Sequence, residues 1–229
     1  MSEQVREMFA SIARRYDAAN EVLSLGVHRS WRRAAVQLSG ARRGQRVLDC
    51  ATGTGDLAFA FKRAVGPEGE VVATDFCEEM LASARPKAKR AGLEVRFEVA
   101  DALELPFPDR SFDIAAIAFG IRNVDDPVRC LREMARVVRT GGRVVVLEFG
   151  QPHGPFGALF RVYSRRVMPA VGGLLTGNRE AYEYLPRSAA AFPAGERFIA
   201  LMDEAGSFSE QAATPLLAGT AYVYVGVVA

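Results

Sequence analysis

The chain has 229 residues, of which 49% are hydrophobic and 24% charged, and its formal net charge is +2. This composition is typical of one large globular domain, and the weak charge argues against a nucleic-acid-binding protein. The three cysteines are widely spaced, which argues against a disulfide framework and a zinc site, and no metal is expected. Because no signal-like or membrane-spanning apolar run is present, we expect a cytoplasmic protein.

The predicted elements alternate between strand and helix after a helical N-terminal region. Residues 4–40 predict two or three helices with polar breaks at Asn20 and Gly26. Strands follow at 46–50, 70–74, 94–100, 111–118 and 143–149, with helices among them at 56–65, 78–91 and 127–139. Because strands that alternate with helices at this spacing pair in parallel, we expect a doubly wound α/β fold with helices on both faces of the sheet.

The remainder of the chain departs from this alternation. Residues 150–192 contain glycines, prolines and many aromatic residues, with one helical stretch near 156–168. A helix at 196–204 and strands near 208–213 and 220–228 follow, and such a terminal hairpin adds antiparallel strands to a parallel sheet. We expect a single domain with seven strands, divided into an N-terminal helical cap (1–40), a core (41–150), a helical cap inserted after strand five (151–192) and a C-terminal helix with the hairpin (193–229).

A glycine-rich turn follows the first predicted strand, in the segment VLDCATGTGD at residues 47–56. Gly53 and Gly55 allow backbone N–H groups to approach a ligand without a Cβ in the way. The spacing Gly53-x-Gly55-x-x-Ala58 also fits the dinucleotide-binding fingerprint. The turn alone is therefore compatible with two cofactors, a nicotinamide dinucleotide and S-adenosylmethionine.

Acids at the ends of neighbouring strands indicate which of these two cofactors the site binds. Asp49, Asp75 and Asp101 end the first three strands, where ligands of open α/β sheets bind. Asp75 can accept from the ribose hydroxyls of either cofactor, whereas the other two carboxylates would repel a pyrophosphate and attract a sulfonium or an ammonium group. The pattern favours S-adenosylmethionine, with Asp49 at the methionyl ammonium and Asp101 at the adenine amino group. Turn capping by Asp49 and an ordinary loop position for Asp101 are the alternatives.

On these motifs the chain resembles class I S-adenosylmethionine-dependent methyltransferases, and more narrowly the demethylmenaquinone/demethyl-ubiquinone C-methyltransferase family of quinone biosynthesis. The similarity covers nearly the whole chain, and its most specific segments are FGIRN at 119–123 and YEYLPRS at 182–188. The resemblance implies cofactor contacts at Thr54, Asp75, Asp101 and Ala102. It implies a further contact at Ala118, where many relatives carry serine, so only a backbone contact would survive there.

The family's reaction adds a methyl group to a ring carbon of a polyprenylated hydroquinone. The resemblance therefore implies C-methylation of a demethyl-quinol, with demethylmenaquinol preferred. A ubiquinone-pathway benzoquinol is an alternative substrate, as is another small lipid or a soluble metabolite. A cofactor-binding scaffold subunit of a quinone-synthesis complex is the alternative outside enzymes.

Arg122 and Asn123 follow the fourth strand, where methyltransferases place groups that face the methyl acceptor. The resemblance implies that Arg122 takes part in proton removal through water. Since a guanidinium stays protonated, we expect Arg122 to hold the phenolate while water carries the proton away. A salt bridge to an acid and a turn cap by Asn123 are the alternatives. Tyr16, His153 and Tyr182 are candidate substrate residues, with plain packing or an idle loop position as their alternatives.

The stretch 156–168 places apolar and aromatic residues on one helical face, with Arg161, Arg165 and Arg166 nearby. With the N-terminal helices it is expected to form a cap and a channel for the prenyl tail. Basic charge beside apolar residues also suits anionic lipid headgroups, so contact with the inner face of the cell membrane is expected. A helix packed only on its own protein is the alternative, and a homodimer is left open.

Overall fold

A seven-stranded mixed sheet forms the centre of the computed structural model, which describes residues 3–13 and 15–229. In chain order its strands are β1 (Arg46–Cys50), β2 (Glu70–Asp75), β3 (Arg96–Val99), β4 (Phe112–Ala118), β5 (Val138–Phe149), β6 (Phe208–Leu216) and β7 (Ala221–Val228). Across the sheet their order is β3-β2-β1-β4-β5-β7-β6. The first five strands pair in parallel, and β7 is antiparallel to β5 and β6. The predicted doubly wound sheet with a terminal hairpin is confirmed.

Helices surround the sheet and build a cap over one of its ends. In the described part of the chain the α-helices are α1 (Glu3–Ile12), α2 (Tyr16–Ser24), α3 (Val27–Ser39), α4 (Asp56–Val65), α5 (Glu78–Ala91), α6 (Pro127–Val137), α7 (Gly154–Val162), α8 (Met168–Thr176), α9 (Arg179–Ala191) and α10 (Glu196–Ala205). A 3₁₀ turn spans Ile121–Asn123, and a π-helical turn at Tyr163–Val167 joins α7 to α8.

The sheet is buried on both faces, as the continuous apolar strands require. Side chains alternate between the faces, so Val47 of β1 joins one core and the next residue, Leu48, joins the other. The Val47 core is covered by α3 and α4, with Trp31 as a central side chain. The Leu48 core is covered by α6 and α10. Because both faces are covered, the polar strand ends remain the open edge for a ligand.

The cap has a small apolar core of its own. Ile12, Ala19 and Leu23 from the N-terminal helices pack with Ala181 and Tyr182 of α9. The predicted cap after strand five is therefore present and packs against the N-terminal helices. The exact four-part division of the domain stays a prediction, and Met1, Ser2 and Arg14 of its first part lie outside the described residues.

Several predicted boundaries differ from the structure. Asn20 lies inside α2 and is not a break, whereas the predicted break at Gly26, which has φ +76°, separates α2 from α3. The predicted helix 127–139 ends at Val137, because residues 138–142 extend β5. Helix α9 was not predicted, although Asn178 precedes it and its Oδ1 accepts from the Ala181 N–H at 3.1 Å, a typical N-cap. Within the described residues, no helix has the length and apolarity that crossing a bilayer needs.

Candidate active site

A cavity lies at the carboxyl ends of the strands, beside the turn after β1. Gly53 has φ +59°, and a Cβ at this position would meet no atom within 4 Å. Gly55 has φ +88° and immediately precedes α4. Positive φ values of this kind favour glycine. The structure brings together the seven residues predicted to bind the cofactor, since the cavity is lined by Asp49, Gly53, Thr54, Asp75, Asp101, Ala102 and Ala118.

Asp49 is fully buried beneath this cavity. Its Oδ2 accepts a hydrogen bond from the Thr52 hydroxyl at 2.6 Å, and its Oδ1 has no hydrogen-bond partner among the described residues. Burial raises the pKa of this carboxyl to about 7, although the Thr52 hydroxyl opposes the shift. A buried carboxylate with a free oxygen is costly unless a donor reaches it. The site therefore fits a ligand that brings a cationic donor.

Asp75 is held by the backbone around it. Its Oδ2 accepts from the Gly53 N–H at 2.7 Å and its Oδ1 from the Cys77 N–H at 2.9 Å. Burial raises the pKa of Asp75, and these backbone donors oppose the increase. Each carboxylate oxygen keeps a further lone pair, which fits the two hydroxyls of a ribose. The Oδ1 of Asp101 accepts from the Leu103 N–H at 2.9 Å and so fixes the loop that carries Ala102.

The Thr54 hydroxyl makes a contact that was not predicted. It donates to Asp17 Oδ1 of α2 at 2.5 Å. The other oxygen of Asp17 accepts from Lys87 Nζ of α5 at 2.6 Å, and Lys87 also pairs with Asp56 at 2.8 Å. The hydroxyl of Thr54 is therefore engaged by the cap, which leaves its backbone to face the cavity. The clue in the sequence was the Tyr16-Asp17 pair within the segment that carries the resemblance.

A second, mainly apolar cavity adjoins the first. The two cavities share Phe9, Tyr16, Arg32 and Phe119. Helices α1 to α3, the π-helical turn and α9 supply most of the remaining lining, which includes Met8, Ile12, Leu23, Trp31, Phe149, Phe160, Tyr163, Met168, Tyr182 and Leu185. A large apolar ligand can therefore lie directly beside the ligand of the first cavity.

Arg122 lies at one wall of the apolar cavity. Its Nη1 donates to the Phe119 carbonyl and, at 2.9 Å, to Glu148 Oε1, and both side chains of the pair are almost fully buried. Burial raises the pKa of Glu148, and the Arg122 charge opposes that shift. Glu148 Oε2 has no hydrogen-bond partner among the described residues. The salt bridge kept as an alternative for Arg122 is thus present, yet the guanidinium still borders the cavity.

Three further predicted residues lie at the boundary of the two cavities or inside the cap. Asn123 lines the first cavity, and its Oδ1 accepts from the Tyr184 hydroxyl at 3.0 Å. Tyr16 lines both cavities, and Tyr182 lines the apolar one. The Tyr182 hydroxyl is buried and unpartnered among the described residues, and burial raises its pKa to about 12. Tyr182 therefore stays protonated and can donate to a bound ligand.

His153 is the predicted site residue that the structure leaves apart. It is exposed, directly precedes α7, and lines neither cavity. After β5 the chain turns through Pro152 and Gly154, and this turn carries the imidazole to the outer surface of the cap. The interpretation of His153 as a substrate residue is therefore corrected to that of a surface loop residue.

The fold and the site define the class of protein. A sheet of this order, a glycine turn after β1 and acids at three strand ends form the cofactor site of a class I S-adenosylmethionine-dependent methyltransferase. The chain belongs to the ubiE/COQ5 methyltransferase family, whose model matches residues 1–227. Both the predicted family and the predicted methyl donor are confirmed.

Similar proteins support this assignment over almost the full chain. The ubiquinone/menaquinone biosynthesis C-methyltransferase UbiE of Bdellovibrio bacteriovorus is 54% identical, and the match covers 99% of this chain and 96% of that protein. The demethylmenaquinone methyltransferase of Thermus thermophilus is 52% identical, with 96% and 99% covered. Among solved structures, a methyltransferase of Thermotoga maritima, described as a possible histamine N-methyltransferase, is 21% identical with a TM-score of 0.67 and covers 96% of this chain and 98% of its own. That likeness concerns the fold alone.

Proposed function

We propose that this protein transfers a methyl group from S-adenosylmethionine to a ring carbon of a polyprenylated demethyl-quinol, with demethylmenaquinol as the preferred substrate. One observation carries the proposal: the cofactor cavity and an apolar cavity lie side by side and share a wall of four residues. Such a wall lets an aromatic ring with an apolar tail lie against the methyl donor. The relatives named for ubiquinone and menaquinone biosynthesis support a quinol as that ring.

Each acid of the cofactor cavity would bind a different part of the cofactor. S-adenosylmethionine supplies an electrophilic methyl group when it is bound. Asp49 would accept from its ammonium through the free Oδ1, and Asp75 would accept from its ribose hydroxyls. Asp101, fixed by the Leu103 N–H, would accept from its adenine amino group. The open side of Gly53 leaves room for the methionyl chain.

The polar groups of the apolar cavity would activate the acceptor. A quinol ring carbon becomes nucleophilic when the neighbouring hydroxyl loses its proton. Arg122 cannot take that proton because its guanidinium stays charged, so it holds the phenolate oxygen while water removes the proton. Glu148 keeps the guanidinium in place at 2.9 Å. Tyr182, which stays protonated, can donate to a ring oxygen, and the surrounding aromatic side chains limit the entry of further water.

We extend the proposal to the surface of the cap, where we place contact with the inner face of the cell membrane. Leu25, Leu159 and Leu174 are 87%, 69% and 85% exposed. Arg161, Arg165 and Arg166 are exposed on the same helical stretch, whose Phe160 and Tyr163 line the apolar cavity. Exposed apolar side chains beside arginines suit an anionic bilayer, and this position would let a prenyl tail pass directly between lipid and cavity.

One assay tests the reaction. The purified protein is incubated with methyl-labelled S-adenosylmethionine and with demethylmenaquinol or a demethyl-ubiquinol precursor, each reduced and oxidised. We expect label in reduced demethylmenaquinol and little in the oxidised forms, because a quinone has no hydroxyl proton to lose. Preferential labelling of the benzoquinol would show that the preferred substrate is a ubiquinone precursor and not demethylmenaquinol. Cofactor binding without labelling of either quinol would contradict it.

Substitution of Arg122 distinguishes an enzyme from a scaffold protein that only binds the cofactor. Arg122→Ala should lower turnover by roughly 10²–10³-fold, the usual loss when one charge-stabilising donor is removed, and should leave cofactor affinity unchanged. Arg197→Ala, which removes an exposed arginine of α10 that lines neither cavity, is the matched control and should keep full turnover. A scaffold would show no labelling in any of the three proteins.

A further inference from the structure

Arg32 on α3 lies at the boundary between the two cavities and lines both. Its side chain is only 12% exposed. Nη1 donates to His28, whereas Nε and Nη2 make no hydrogen bond to the residues that the structure describes. The guanidinium thus presents free donors, and it does so largely out of bulk water.

The carboxylate near Arg32 does not satisfy these donors. Among residues 3–13 and 15–229, the carboxylate within ion-pair distance belongs to Asp56, at 3.8 Å, which is too long for a hydrogen bond. Asp56 instead binds Lys87 Nζ at 2.8 Å. A mostly buried charge without a hydrogen-bonded counterion is unfavourable. The cavity wall therefore fits an anion supplied by the ligand.

Asp49 lies close enough to Arg32 to be affected by its charge. Burial raises the pKa of Asp49, and the positive charge of Arg32 acts against that rise. Asp49 also lines the cofactor cavity, and its buried Oδ1 has no hydrogen-bond partner among the described residues. The wall thus offers one free acceptor and one cation with free donors. An α-amino acid group, which carries an ammonium and a carboxylate on the same carbon, complements both.

We propose that Arg32 binds the carboxylate of the methionyl group of S-adenosylmethionine, while Asp49 binds its ammonium. Arg32 is then a specificity residue that distinguishes the intact cofactor from adenosyl sulfonium compounds without the carboxylate. The inference rests on the cofactor and is independent of which quinol accepts the methyl group. Two other roles compete with it: a contact with the quinol oxygen, and a purely structural bond to His28.

Binding measurements without any quinol test the proposal. Isothermal titration calorimetry compares S-adenosylmethionine with decarboxylated S-adenosylmethionine, which lacks only the carboxylate. The wild type should bind the intact cofactor at least about tenfold more tightly, as loss of a charge-assisted hydrogen bond predicts. Arg32→Gln should remove most of this preference by weakening the intact cofactor alone. Arg32→Lys, which keeps the charge, should lie between the two.

Arg33→Gln is the matched control, because Arg33 is the next residue of α3 and is exposed, and its one hydrogen bond to the described residues goes to the Arg29 carbonyl at 3.4 Å. It should retain the wild-type preference. Equal weakening of both ligands by Arg32→Gln would assign a structural role to Arg32 and overturn the proposal. If Arg32→Gln binds both cofactor compounds like the wild type but has a raised KM for the quinol, Arg32 contacts the methyl acceptor and the proposal is overturned. Equal affinities in the wild type would overturn the proposal without any variant, and failed quinol methylation with the expected binding pattern would refute only the reaction.

Discussion

At the scale of single residues, Asp49 is the group whose environment departs furthest from water. Its pKa of about 7 means that the folded protein holds this proton more tightly than the unfolded chain does. Stability therefore decreases as the pH rises from about 4 to about 7, since the unfolded chain releases the proton first. The carboxyl is retained at a cost to the ligand-free fold, which is expected of a residue that serves a bound cation.

Asp49→Asn should remove the loss of stability that the buried carboxyl causes at high pH. The neutral amide needs no ionisation, and the buried carboxyl costs roughly 2–3 kcal/mol more at pH 8 than at pH 5. The Tm of the ligand-free variant, relative to wild type, should therefore rise roughly 5–10 °C more at pH 8 than at pH 5. Differential scanning calorimetry at the two pH values measures this difference. The same variant should bind S-adenosylmethionine about tenfold or more weakly, because it lacks a charged partner for the ammonium. An identical change in Tm at both pH values would show that the carboxyl does not ionise in this range.

At the scale of secondary-structure elements, α2 is attached to the cofactor turn through Asp17. This carboxylate accepts from Thr54 and from Lys87, and the two donors belong to different elements. One short helix thereby connects the turn after β1 with α5. We expect this contact to hold the cap closed over the bound cofactor.

Lys87→Ala should break the ion pair between α2 and α5. Because the ion pair is partly exposed, its loss is worth at most about 1 kcal/mol, or roughly a fivefold faster dissociation of the product S-adenosylhomocysteine. Stopped-flow fluorescence with a competing ligand measures the rate. Lys89→Ala on the same helix, an exposed lysine, should dissociate at the wild-type rate. If Lys87→Ala also matches the wild type, the cap closes without this contact.

The elements also show which features a sequence can predict. β1, α4 and α5 begin and end at the predicted residues, because each has a local signal: a buried apolar run, or a helix bounded by glycine. Helix α9 was missed because Pro186 lies within it and a proline in a helical pattern usually indicates an end.

The site was predictable in part for the same reason. The acids at the strand ends were found because a parallel sheet brings consecutive strand ends together. The bonds from Arg122 to Glu148 and from Thr54 to Asp17 connect residues far apart in the chain. No local pattern encodes such pairs, since they depend on how the cap docks onto the core. Arg32 was missed because a helical arginine is usually a solvent-exposed residue.

At the scale of the whole molecule, the proposed membrane contact rests on the exposed leucines of the cap and on the exposed arginines near them. Leu159→Glu combined with Leu174→Glu should reduce co-sedimentation with phosphatidylglycerol vesicles several-fold, because it removes apolar contact and adds negative charge near an anionic surface. Binding of the wild type should weaken with added salt and be low on phosphatidylcholine vesicles.

Val99→Glu provides a matched charge change on β3, the strand at one edge of the sheet, where Val99 is 54% exposed. This variant should sediment with the vesicles like the wild type. Equal binding by the cap variant, or equal loss in the control, would place the membrane contact elsewhere. Turnover of a short-chain quinol analogue in solution should be unaffected by all three substitutions.

The wall shared by the two cavities has a thermodynamic consequence. Phe9, Tyr16, Arg32 and Phe119 line both cavities, and the first three belong to the N-terminal helices. A ligand that orders this wall lowers the entropic cost of ordering it for the other ligand. By linkage, the factor by which the cofactor strengthens quinol binding must equal the factor by which the quinol strengthens cofactor binding. We therefore expect donor and acceptor to bind cooperatively through these few side chains.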